Sequence, residues 1–241
     1  MSLQPTSPDL LKPRMYSGVP QEERARLRRE RLIEAGIDVF GRLGFAQATM
    51  RDICAQARLS ERYFYESFRN TQDVFDTVCK QLIQALMDTI RTAITQAPLN
   101  ERALLESGLR AFLQFMKDDP RRVQIVLIDC VWMENVKMRD GRSELLTYQH
   151  VIQTLMQGFY PQLSAEIDVK LAASGLVGTA IHTAIAWSHE GFKADLESVL
   201  KHTLSAWAGL RHWMKATAPG GKAMPAQSEM VAHVRNVFKS D

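Results

Sequence analysis

Apolar residues recur at helical spacing along nearly the whole chain, and no stretch alternates with the period of two that marks a strand. The first periodic run is Leu32, Ala35, Gly36, Val39, Phe40 and Leu43, a single buried face. Pro20 suits a first helical position, Glu22 and Glu23 fall in the positive first turn, and Gly44 is placed to end the helix in a left-handed conformation. Two very short helices follow between Thr49 and Phe68. Thr49 is an N-cap with Asp52 three residues on, and Ser60 repeats the device for the second. Asn70 and Thr71 are capping types before a long amphipathic helix from about Gln72, carrying Val74, Val78, Leu82, Ala85, Met87 and Ile90 and ended before Pro98.

Helical spacing continues beyond that point. Residues 101–118 are apolar on most sides through Leu104, Leu105, Leu109, Phe112, Leu113, Phe115 and Met116, as a buried helix would be. Pro120 starts another helix, whose run Val123 to Met133 is apolar except for Gln124 and Asp129. After a turn near Asp140-Gly141, Leu145, Tyr148, Ile152, Leu155, Met156 and Phe159 line one face until Pro161. Two last helices are expected near 170–190, rich in small residues, and 194–214, with a stripe from Leu196 to Trp207 and Met214. The pattern predicts an all-α chain: a tail over 1–20, a three-helix head over 21–70, a helical bundle over 71–216 and a tail over 217–241.

The two short helices read as a helix-turn-helix, whose second helix can enter a DNA major groove. Arg62, Tyr63, Tyr65 and Arg69 supply charge and phenolic hydroxyls there, while Phe64 and Phe68 lie four apart and can face inward. The spacing Phe40 to Phe45, Thr49, Ile53-Cys54, Ala57-Arg58, Leu59-Ser60 and Tyr65 to Phe68 resembles the N-terminal signature of the TetR family of regulators. The resemblance covers about residues 24–80. It departs at Arg58, where the family has a turn glycine, at Arg62-Tyr63 in place of Gly-Thr, and at Thr71 in place of lysine.

That resemblance implies a transcriptional regulator, expected to be a repressor, that binds a palindromic double-stranded operator as a homodimer. Thr49 and Ser60 are then expected on phosphates, with Tyr65 and Ser67 donating hydroxyls and Arg69 as a cationic clamp. Arg51, Arg62 and Tyr63 are the candidates for base edges. The last two helices would pair with those of a second copy. A mainly apolar small molecule in the bundle would shift the spacing of the heads. Phe112, Phe115, Met116, Trp132, Tyr148, Met156, His182 and Trp187 are its candidate contacts.

Charge fits this division. Residues 1–70 hold 12 Lys+Arg against 9 Asp+Glu, so the whole formal surplus of +3 lies in the head. The arginines at 24, 26, 28, 29 and 31 read chiefly as a solvated face balanced by Glu30 and Glu34. Three scattered cysteines imply no disulfide framework and suit a reduced, cytoplasmic protein. The N-terminal stretch lacks the apolar run of a signal peptide, and the small-residue helix is too interrupted to read as a membrane span.

No phosphate loop, zinc-protease helix or nucleophile elbow is present, so neither an enzyme nor a cofactor is expected. His182 and His189 are too far apart along one helix to chelate one ion unaided. Asp129, alone in an apolar run, is expected to be satisfied by Arg121, Arg122 or another helix end. The competing function is a helical small-molecule-binding or enzyme domain whose DNA-binding head has decayed.

Overall fold

A computed structural model describes residues 20–98, 100–131, 153 and 168–217, and every element among them is helical. Eight elements run in order: α1 (Gln21–Leu43), α2 (Met50–Ala57), α3 (Glu61–Ser67), α4 (Thr71–Gln96), α5 (Glu101–Asp118), α6 (a π-helical turn, Val123–Asp129), α7 (Val169–His189) and α8 (Leu196–Thr217). The expected tails and the helix through Tyr148 and Met156 lie outside the described residues, as does Trp132.

The head forms as its caps dictate. Thr49 and Asp52 make the full capping box of α2, and Asn70 accepts from the Asp73 amide to start α4. Ser60 departs from expectation, because its side chain makes no cap bond. Gly44 ends α1 at φ 73°, returning its amide to the Phe40 carbonyl. The turn between α2 and α3 is closed by Arg58 itself, held left-handed at φ 53°, ψ 44°. The Leu59 amide reaches the Cys54 carbonyl at 3.0 Å across that turn. A left-handed turn residue, which glycine adopts without a side-chain penalty, is thus supplied by an arginine.

One apolar core joins the head to the bundle. Leu32, Phe40 and Phe64 are fully enclosed, and the cluster continues through Val78 and Leu86 to Leu113, Ile125, Trp187 and Leu200. Gly36 lets α1 lie close on α4, since a Cβ there would stand 2.9 Å from the Val74 side chain. Gly41 does the same for α6: a Cβ there would stand 2.5 Å from that of Arg121.

The cysteine expectation is overturned. Cys79 of α4 and Cys130, one residue after α6, form a disulfide with their Cα atoms 6.6 Å apart, and Cys54 remains free and buried. A separation of 51 residues hid the pair, because only the packing of α4 on α6 brings the thiols together.

Candidate nucleic-acid interface and cavity

The helix expected to read DNA, α3, is seven residues long, with one face buried and the rest presented to solvent. Phe64 and Phe68 are buried against α1, which leaves Arg62, Tyr63 and Tyr65 exposed. The Arg62 side chain is 85% exposed and bonds back to Glu66 at 3.2 Å. A pair this open is weak and screened, so the guanidinium is available to a stronger acceptor. Arg51 is as open, 3.6 Å from Glu61. Tyr65 is exposed along its ring, whereas Tyr63 lies under the Arg28 guanidinium, 4.4 Å from its centroid.

The remaining expected contacts frame this surface. Thr49 and Ser60 are exposed at the starts of α2 and α3, Arg69 is exposed just beyond α3, and Ser67 is half-buried at its end. Thr49 is already engaged: its hydroxyl donates to Asp52 at 2.6 Å, and this bond holds the Asp52 carboxyl below its ordinary range. Ser60, without a cap bond, has the freer hydroxyl.

The arginines of α1 do more than face solvent. Arg31 donates to the Ala57 carbonyl at 3.1 Å, closing the C-terminal end of α2. Arg29 lies over Phe68 and Arg28 reaches Glu66 at 3.5 Å, so both brace α3. Arg26 behaves as expected, paired along its own helix with Glu23 and Glu30. Single-sequence reading missed these braces because each partner lies on another helix.

A cavity of about 150 Å³ opens inside the bundle. Five helices supply its wall: Met87, Ile90 and Ile94 from α4, Leu104, Leu105, Gly108, Leu109 and Phe112 from α5, Leu127 from α6, Leu176, Val177, Ala180 and Ile181 from α7, and Thr203, Leu204 and Trp207 from α8. Thr203 brings a hydroxyl, but it is spent on the Val199 carbonyl at 2.8 Å. A pocket lined in this way suits a mainly apolar molecule. Beyond the wall, Trp207 donates to the buried Glu101 at 3.1 Å.

Of the candidate ligand contacts, Phe112 alone among the described residues reaches this wall. Phe115 and Met116 point into the core instead, with Arg122 stacked 3.9 Å over the Phe115 ring. Trp187 is buried too, donating to the Ala194 carbonyl at 3.0 Å and fixing the turn between α7 and α8. His182 is exposed on α7, away from the cavity. These corrections share one cause: helical spacing marks a buried face but not which neighbour it meets. Trp132, Tyr148 and Met156 lie outside the described residues.

The junction between head and bundle passes through α6. Asp129 accepts the Phe45 amide at 2.9 Å and the Gln124 side-chain amide at 3.0 Å. Its expected partners are used elsewhere: Arg121 pairs with Asp38 and Asp119, and Arg122 donates to the Phe115 carbonyl. The turn beyond α1 is the helix end that satisfies it. Burial pushes the Asp129 carboxyl above its ordinary range.

Comparison with known proteins agrees with this architecture. Residues 32–78, from α1 into α4, match the family model described as bacterial regulatory proteins, tetR family. The chain is 22% identical over 200 residues to the HTH-type transcriptional activator FasR of Mycolicibacterium smegmatis, covering 80% of this chain and 86% of that one. It is 21% identical over 176 residues to the fatty acid metabolism regulator protein of Bacillus subtilis, covering 72% and 90%. Among solved structures, the fatty acid degradation regulator FadR of Bacillus halodurans superposes with a TM-score of 0.64 at 19% identity, over 76% of this chain and 96% of that one. FadR of Bacillus subtilis, solved in complex with stearoyl-CoA, superposes at 0.58 with 18% identity, over 73% and 98%.

Proposed function

We propose, for a chain that belongs to the TetR family of bacterial regulatory proteins, a repressor that binds a palindromic operator as a homodimer and is released by an apolar effector. The observation that carries this reading is one continuous core linking an exposed reading helix to an apolar cavity. An effector that enlarges the cavity pushes on Leu127 of α6, and α6 holds the turn before α2 through Asp129. Ligand binding and head position are thereby coupled.

The relatives that regulate fatty acid metabolism, and the one solved with stearoyl-CoA, make a long acyl chain the first effector to try. The wall suits it, since its only hydroxyl among the described residues is already bonded within α8. An acyl chain seated here would press on walls supplied by all five helices, which is the movement the mechanism requires.

The dimer would form on α7 and α8. Leu171 is 70% exposed on α7, and nothing lies within 4 Å of a Cβ built at Gly175 or Gly178. This helix is long and apolar enough to cross a membrane by composition, yet it packs on α5, α6 and α8. An apolar face beside such packing is better covered by the same helices of a second copy. Acting on DNA, the protein would work in the cytoplasm.

The test is selection of bound fragments from genomic DNA, followed by titration of the selected duplex with and without stearoyl-CoA. Specific binding that weakens with the acyl compound supports the reading. Failure to select any duplex sinks it. The name of the FasR relative makes activation the second reading, and transcription from the selected promoter separates the two.

A further inference from the structure

We propose that Cys79 and Cys130 are a redox-controlled lock between the cavity wall and the DNA-binding head, closed by thiol oxidation and opened by a dithiol reductant. The bridge joins helices with different duties. Cys79 lies in the first half of α4, the helix that leaves the head and lines the cavity with Met87, Ile90 and Ile94. Cys130 directly follows Asp129, which holds the Phe45 amide, and stands three residues after Leu127 of the cavity wall. Within four residues, this segment touches cavity, head and α4.

The other end of α6 is fixed to α1 by the Arg121–Asp38 ion pair. With the bridge closed, α6 cannot slide along α4 without dragging the turn before α2. With it open, α6 keeps its packing on α1, the partly exposed Arg121 ion pairs and the Asp129 hydrogen bonds, but no covalent tie to α4. A covalent restraint at this point therefore limits how freely α6 and the turn it holds can move. In a reducing compartment a disulfide is as a rule transient or redox-sensing rather than a permanent brace.

The chemistry runs by thiol–disulfide exchange. Cys79 is half-buried and Cys130 nearly enclosed, so a thiolate of the incoming dithiol attacks the Cys79 sulfur. The S–S bond breaks and Cys130 leaves as a thiolate, which takes up a proton. The second thiol of the reductant then attacks its own sulfur in the mixed disulfide. Cys79 is released as a thiol and the reductant departs as a cyclic disulfide. Two electrons and two protons have passed to the protein. Oxidation by a small-molecule disulfide reverses these steps and yields two free thiols. Cys54 takes no part: it is buried beside Met50, and burial pushes its thiol above the ordinary range.

The regulatory half of this inference rests on the DNA-binding reading, so the experiment carries a readout that needs no DNA. The full chain is treated with dithiothreitol or with glutathione disulfide, and its thiols are counted by alkylation after denaturation. Hydrogen exchange is followed over residues 40–50, and affinity is measured for a duplex selected from a random-sequence pool. One alkylated cysteine is expected in the oxidised protein and three in the reduced. Exchange at the Phe45 turn should be about tenfold slower in the oxidised form. The duplex should bind about fivefold more tightly to that form. Cys79→Ser and Cys130→Ser, each with two cysteines left, should match the reduced protein in exchange and in duplex affinity after either treatment. Three alkylated thiols after oxidation, or equal exchange at residues 40–50 in both forms, would overturn the lock. Unequal exchange with equal or weaker duplex binding on oxidation overturns its control of DNA. Unequal exchange with no duplex selected upholds the lock and sinks the DNA-binding reading instead.

Discussion

In the head, side chains are placed by partners within four residues or on one adjoining helix: Thr49 by Asp52, Tyr63 by Arg28, Arg31 by the end of α2. Around the cavity, five helices contribute apolar side chains that are distant in sequence and make no directional bonds to one another. The difference governs what each surface can recognise. Directional bonds preset the spacing of donors, as a groove of fixed geometry demands. An apolar wall sets only volume and polarity, and it can repack around ligands of different length.

The largest effect that would break this contrast is expected from Phe64→Ala. Phe64 is fully enclosed beneath α3, and truncating it should destabilise the protein by about 3–5 kcal/mol. Because one core runs from Leu32 to Leu200, head and cavity should melt together in one transition, seen by circular dichroism and by release of an apolar dye. Two separate transitions would show that the regions fold independently despite their shared core.

A second variant addresses the seam. Gly41→Ala places a Cβ 2.5 Å from that of Arg121, and neither backbone can yield without moving α6 off α1. A cost of about 1–3 kcal/mol is expected, together with faster hydrogen exchange at Phe45. Loss of stability with unchanged exchange at Phe45 would mean that the Asp129 contact does not depend on the seam.

On the reading face the expected change is in binding rather than folding. Arg62→Ala should cost about 1–3 kcal/mol of discrimination at one position of each half-site. Stability should move by less than about 0.5 kcal/mol, since the side chain is exposed. A uniform loss across all duplexes, with a shallower salt dependence, would reassign Arg62 to a phosphate.

How much could be read beforehand follows the same contrast. The ends of α1, the Thr49 capping box and the span of α5 were legible because their causes are local: a glycine after the last turn, a hydroxyl three residues from a carboxylate, prolines in the connectors. The inward pair Phe64 and Phe68 was legible from spacing alone. What failed was tertiary. Phe112 reaches the cavity while Phe115 and Met116, on the same helix, face the core, because the neighbours of each stripe are chosen by crossing geometry. The Cys79–Cys130 bridge and the π-helical turn beside it carry no local signal. Asp129 was the exception. An ionisable residue in an apolar run announces a specific partner, although not that the partner is the Phe45 amide.

The smallest expected effect concerns the turn that departs from the family. Arg58 occupies the left-handed region at φ 53°, where a side chain is disfavoured and glycine is not. Arg58→Gly should therefore relieve strain and raise stability, less the extra entropy that glycine gives the unfolded chain, for a net gain of about 0.5–1 kcal/mol. The residue is exposed and beside the start of α3, so its cation is free to approach a phosphate. Two measurements separate the reasons for keeping it. If the glycine variant is more stable and binds the selected duplex with an unchanged salt slope, Arg58 is a tolerated substitution. If it is more stable but its salt slope falls by about one phosphate contact, the head bears backbone strain in exchange for DNA affinity. A glycine variant no more stable than the parent would mean that contacts of the arginine offset its backbone cost, and the strain argument fails.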